Sequence, residues 1–273
     1  MATVNVTSWT EFLEAAAVSG DTVVCPENAV WDLADLEPEG HSGTITIKSD
    51  IVGNGTTIKN LVQSGLGTSG SPFTISGGST NAHRSISGIN ILNATITSSS
   101  DALVFLFKGN WVDFELCQFS MLARGLSQIC GEQGSMYRCA ANIELTTSGS
   151  ILIGGNGETF DYCNFKFSGS GVGGFRTFKS GYDSQRATIN NSYIILDTPQ
   201  ITTIAMKSGV SNVFRCTGAN VTSLSGYTAS NFSLSVDTDF PNVTTVSSGW
   251  VLVSENQLRD AAYLQSIGFP IGV

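Results

Sequence analysis

Along this chain apolar and polar residues alternate with period two, break off, and restart every twenty to thirty-odd positions. The pattern is clearest at Phe160-Asp161-Tyr162-Cys163-Asn164-Phe165-Lys166-Phe167. It returns at Phe114-Glu115-Leu116-Cys117-Gln118-Phe119, Met136-Tyr137-Arg138-Cys139, Ile189-Asn190-Asn191-Ser192-Tyr193-Ile194-Ile195 and Val213-Phe214-Arg215-Cys216. Upstream relatives are Ile91-Leu92-Asn93-Ala94-Thr95-Ile96 and Ile58-Lys59-Asn60-Leu61-Val62. Anchored on the small central residue, the copies fall at Asn60, Asn93, Cys117, Cys139, Cys163, Ser192 and Cys216, with gaps of 33, 24, 22, 24, 29 and 24 residues. A unit this short cannot bury its apolar side alone, so the period predicts repeats stacked on one another. Alternation and the abundance of Phe, Tyr, Ile, Val and Thr make the units strands. Each small anchor is expected at a tight inward corner, forming a ladder with its side chain bonded to backbone. The predicted fold is all-β: a single-stranded right-handed parallel β-helix with an N-terminal capping helix and a short C-terminal helix and tail.

The chain then divides into residues 1–20 (strand and capping helix), 21–250 (the parallel column) and 251–273 (helix and apolar tail), one structural domain in all. In the first part, Ser8 is the expected N-cap, with Glu11 completing a capping box. Phe12, Leu13, Ala16 and Ala17 form the predicted apolar stripe, and Gly20 the stop. The stretch carrying Glu37, Pro38, Glu39 and Gly40 reads as a loop, as do residues 63–81, rich in Gly and Ser. In the last part Ser254 caps a predicted helix with Leu258, Ala261 and Ala262 on its buried side. The apolar end, Phe269, Pro270, Ile271 and Val273, either packs on its own column or docks onto another subunit.

Composition narrows the function. Charged residues are only 13% of the chain and the formal charge is −9, which disfavours nucleic acid and an anionic membrane surface. No apolar run is long enough to span a bilayer, and the start, MATVNVTSWTEF, lacks the basic and apolar segments of a secretion signal. Six cysteines without a C-x-x-C pair or a Cys/His cluster point to reduced, buried thiols; no metal and no cofactor is expected.

No set of residues in the sequence stands out as an active site, and no catalytic residue is expected. The runner-up is Glu115 with Asp161, each two residues before its anchor and so in one outward column with Tyr137 between them. Two strand spacings put them about 9.6 Å apart, at the outer limit for a glycosidase pair. An outward strand position is also where a solvated charge ordinarily sits. Asp113 lies on the same face as Glu115, but no Asp-rich cluster accompanies them to hold calcium. Arg138 adjoins the column at a position that strict alternation turns to the opposite face. His41 and His83 read as surface loop residues, and no G-x-S-x-G elbow is present. Trp9, Trp31, Trp111 and Trp250 suit either a sugar platform or, more ordinarily, core filling.

The stacked Asn/Cys/Ser corners, the capping helix and the strand–turn period resemble the pectate-lyase-like right-handed β-helix superfamily over about residues 20–250. The chain is also similar to β-helical virion proteins of tailed bacteriophages. That similarity rests on the leaderless start, the Ser8-Trp9-Thr10-Glu11-Phe12-Leu13 helix running into Gly20-Asp21-Thr22-Val23-Val24, the charge-poor Ser/Thr/Gly/Asn surface, and the ending Ile267-Gly268-Phe269-Pro270-Ile271. The resemblance implies a non-enzymatic structural protein on the capsid exterior, made in the host cytoplasm without a signal peptide. Its implied partners are further copies of itself, as a homotrimer, and other virion proteins, the major capsid protein first. Fold-level likeness does not assign chemistry. A polysaccharide lyase or glycoside hydrolase using Glu115 and Asp161, or a carbohydrate-binding column with a surface glycan as ligand, therefore stands as the alternative.

Overall fold

A computed structural model describes residues 2–67, 70–98, 104–124, 126–129, 131, 133–146, 150–152 and 158–169. Beyond these it describes residue 262 and the strands within 174–176, 188–190, 192–197, 203–205, 213–217, 223–225, 233–236 and 251–252. Strand pairing is parallel throughout these sheets, and an isolated antiparallel bridge joins Ser79 to Ala82.

Successive passages of the chain each add a strand to the same sheets. The first sheet stacks Thr3–Asn5, Thr22–Val24, Asp50–Val52, Arg84–Ser87, Val112–Glu115, Ser135–Tyr137, Thr159–Asp161 and Thr188–Asn190. The second runs from Val30–Asp32 through Thr57–Lys59, Asn90–Ser98, Gln118–Arg124, Ala140–Leu145 and Asn164–Ser168 to Val251–Leu252. Shorter strands form two further sheets, one from Ile45–Ile47 through Phe73–Ile75 to Phe107–Lys108, the other from Val104–Phe105 to Ser223–Ser225. The protein is thus mostly β, with separate parallel sheets and few helices.

Alternation builds the core. In the first sheet Val23, Ile51, Ile86, Phe114, Met136 and Phe160 stand in register and are all buried. The second sheet contributes Trp31, Ile58, Ile91, Phe119, Ala141 and Phe165. Phe107 bridges the walls, its ring centroid 4.6 Å from that of Phe114, 5.0 Å from Phe119 and 5.3 Å from Phe73. Each Val, Ile, Met or Phe side chain so buried contributes about 1.5–3 kcal/mol, and the Ala141 methyl less.

The corners between the first two sheets explain the small anchors and correct two of them. Leu116, Arg138 and Tyr162 adopt left-handed backbone, with φ of 55°, 52° and 54°. The residue after each, Cys117, Cys139 or Cys163, turns inward and is buried. In the earlier passages Thr56 and Ile89 hold the equivalent place, immediately before Thr57 and Asn90. Asn60 and Asn93 do not. They lie four residues further on, left-handed themselves (φ 58° and 54°). The register of Asn90–Ser98 slips between Ile91 and Ala94, so Asn93 is the extra residue of a bulge. Asn tolerates left-handed backbone at both kinds of bend, which is why spacing alone merged them. Further along, Ser192 precedes Tyr193, which pairs with Asn164, so its backbone register matches that of Cys163. Cys216 is displaced: it pairs with Ile194, and Phe214 stands opposite Ser192.

Helix α1 (Trp9–Ala16) closes the first passage. Ser8 Oγ accepts the Glu11 N–H at 3.3 Å, while the Glu11 carboxylate reaches past the cap to the N–H and Oγ of Thr7, at 2.7 and 2.9 Å. Its buried stripe is Trp9, Phe12 and Ala16; Ala17 is exposed because the helix ends before it. Trp9 stacks on Phe12 at 5.5 Å, and Phe12 meets Trp31 at 5.4 Å. Asp32 caps a short helix, α2 (Leu33–Leu36), which leads into the expected turn at Glu37, Pro38, Glu39 and Gly40. Residues 63–81 differ as well: Val62–Leu66 pairs with Asn90–Ser98, and Phe73–Ile75 is a strand with Phe73 fully buried. A Gly/Ser-rich composition weakens side-chain packing, but here neighbouring strands satisfy the backbone. The predicted C-terminal helix and the candidate docking residues Phe269, Pro270, Ile271 and Val273 lie outside the described residues, apart from a helical Ala262.

Candidate functional site

The outward face of the first sheet brings together the residues singled out by sequence. Ser87, Glu115, Tyr137 and Asp161 occupy successive strands in one column. Two residues earlier on the same strands, Ser85, Asp113, Ser135 and Thr159 form a second column. Glu115 is exposed; Tyr137 and Asp161 are partly covered. Two parallel strand spacings set the Glu115 and Asp161 backbones about 9.6 Å apart, with Tyr137 on the strand between them.

Around Tyr137 the corners add groups that alternation did not anticipate. Arg138 stands with its guanidinium carbon 5.2 Å from the Tyr137 ring centroid, and Tyr162 meets the same ring edge-on at 5.9 Å. The expected opposite facing of Arg138 is therefore corrected. Its left-handed φ takes it out of the strand, so the period-two rule no longer governs where its side chain goes. The result is a cation, two phenols and two carboxylates along one flank, the cation resting on an aromatic face. The sequence held a signal for this: Tyr137 and Tyr162 sit on either side of corresponding strand ends in consecutive passages.

The neighbouring column is already engaged. The Asp113 carboxylate accepts Ser135 Oγ at 2.7 Å and lies 3.0 Å from His83 Nδ1. Among the described residues no three His, Cys, Asp or Glu side chains group to hold a metal ion.

His41 is not a free surface residue. Its Nδ1 lies 2.8 Å from one oxygen of Glu37, whose other oxygen accepts the Trp9 indole N–H at 2.6 Å. This tie fastens α1 to the segment after α2. Trp9 and Trp31 are core, Trp111 is partly buried in a left-handed bend, and Trp250 lies outside the described residues.

The inner corners hold thiols in one repeated geometry. Cys117, Cys139 and Cys163 each point Sγ at the carbonyl two residues back, at 3.3, 3.5 and 3.5 Å. Burial pushes the thiols of Cys25 and Cys163 up to about 12. That of Cys139 is driven up by its hydrogen bond with the Cys117 thiol and then by burial. A nucleophilic cysteine needs the opposite shift together with exposure; Cys117 is lowered by its hydrogen bond with the Cys139 thiol, but it is fully buried.

No family model matches the chain, and no curated protein matches it. Among solved structures it has a coarse similarity to tailspike protein 3 of bacteriophage CBA120, with 12% identity and a TM-score of 0.24. The alignment covers 90% of this chain and 56% of that one, so this chain spans little more than half of its neighbour's length.

Proposed function

We propose that this chain is a non-enzymatic structural protein of a tailed bacteriophage virion, a right-handed β-helical column attached to the outside of the head. The observation that carries the reading is the outer wall of the stack. Gln118, Ser120, Ala140 and Asn142, with Lys166 at the margin, line a shallow groove of about 360 Å³ on the second sheet. Small, mostly uncharged residues on a regular strand lattice offer a broad surface that is cheap to desolvate against a partner. Further copies of the chain, as a trimer, and the major capsid protein are the proposed partners. Purified virions provide the test. Co-sedimentation at hundreds of copies per particle supports head decoration; a handful of copies moves the protein to the tail, and absence from particles removes the proposal.

A second reading rests on the flank bearing Glu115, Tyr137, Arg138, Asp161 and Tyr162, whose mixture of acids and phenols suits a glycan. If that flank cleaves polysaccharide, the purified protein releases reducing ends or unsaturated sugars, and Glu115→Gln abolishes the release. Under the structural proposal neither is seen, and Glu115→Gln leaves particle attachment unchanged.

A further inference from the structure

The charge of this protein is concentrated at one end. Eight of its 22 acidic residues and none of its 13 Lys and Arg lie in residues 1–40, leaving 14 acids against 13 bases in the other 233. Those first residues build the end of the stack where the chain starts, so nearly all of the net charge of −9 sits there.

That end also carries an open sheet edge. Among the described residues, Thr3–Asn5 is the terminal strand of the first sheet, paired on one side only, with Thr22–Val24. Ala2 accepts the Thr22 N–H and Val6 donates to the Val24 carbonyl, so the even-numbered residues face the sheet. Thr3 and Asn5 consequently direct their N–H and C=O groups outward, as the two edges of a parallel strand require. Helix α1 covers a different wall: Ser49 Oγ donates to the Ala15 and Val18 carbonyls, and Lys48 N–H donates to Ala16. Between the helix and the open strand lies a groove of about 350 Å³, lined by Val4, Val6, Ala15 and Val18 with Glu11, Glu14 and Asp21 at its margin. Val18 is 51% exposed.

We propose that this groove receives an extended segment of a partner protein bearing alternate Lys or Arg residues, which adds as one more strand beside Thr3–Asn5. The unpaired backbone groups supply the ladder, the valines a seat for one side of the incoming strand, and the carboxylates the selection for positive charge. A second copy of this acidic end is repelled by the same carboxylates.

The probe is a synthetic peptide, Lys-Val-Lys-Thr-Lys-Val-Lys, titrated into the full chain by calorimetry at low and high salt, with a Glu-for-Lys counterpart as control. Binding of the Lys peptide alone, weakened by salt, is expected. Asn5→Pro removes the outward N–H while leaving the inward pairing intact, since Pro is tolerated on an edge; it should abolish binding without altering circular dichroism or melting. Glu14→Lys should weaken binding by about tenfold. Binding that survives Asn5→Pro overturns strand addition, and equal binding of the Glu peptide overturns the charge selection. Failure of the Lys peptide to bind, its exclusion by calcium held at the same acids, or self-association suppressed by Asn5→Pro each overturns the assigned occupant.

Discussion

Two single residues, one at a corner and one within a strand, invite direct tests. Leu116 is left-handed and 54% exposed, so its side chain gains little from packing while its backbone is strained. Leu116→Gly should raise stability by about 0.5–1 kcal/mol, glycine's entropic cost offsetting part of the relief. Gln63 is buried, and its amide finds no protein partner among the described residues. Gln63→Leu should stabilise the fold by about 1–3 kcal/mol in urea unfolding, the desolvation cost of an unmatched amide. The thiols have a pH signature. Unfolded cysteine ionises near 8.5, whereas Cys25 and Cys163 in the fold stay protonated up to about 12. The stability they add is complete below the unfolded value and is lost as pH rises towards the folded one. Melting temperature should therefore fall from about pH 9 upward, and a chromogenic disulfide reagent should reach these thiols only after denaturation.

At the scale of elements, helix α1 is the lid of the stack. Phe12 is fully buried between Trp9 and Trp31, so Phe12→Ala should cost about 3–5 kcal/mol and red-shift tryptophan emission. Glu37→Ala removes the acceptor shared by Trp9 and His41 and should loosen the same lid by a smaller amount, about 1–3 kcal/mol. Much of this element was legible in sequence: the Ser8 cap, the acid at Glu11 and the apolar spacing predict a helix here. What sequence placed wrongly was its seam, with Ala17 taken for Trp9, because an apolar stripe does not reveal at which turn the helix leaves the core. The strands within residues 63–81 were missed for a related reason. Val62–Leu66 finds its backbone partner in residues 90–98 and Phe73–Ile75 in residues 45–47 and 107–108, each about thirty positions away, and a glycine-rich composition says nothing about who pairs with whom.

For the whole molecule, regular stacking distributes stability along the backbone ladder, and a break propagates to its neighbours only. The flanks differ in kind: one carries Arg138, the two tyrosines and the acids, another has a groove of mostly small polar residues beside Lys166, and one end is acidic. The proposed roles follow that division, and Glu115→Gln, Asn5→Pro and virion sedimentation address one region each.

What the chain dictates by itself is the alternation of strands, their parallel recurrence and the inward thiols at Cys117, Cys139 and Cys163, since burial of every second residue is a local demand that each repeat meets in the same way. The three-dimensional arrangement alone decided that Asn93 belongs to a bulge and Asn60 to a left-handed bend, that Cys216 falls out of register, and that Arg138 returns to lie over Tyr137. Each depends on a left-handed bend or a slipped pairing. Such features change direction without changing composition, so they become visible only when the neighbouring strands are in place.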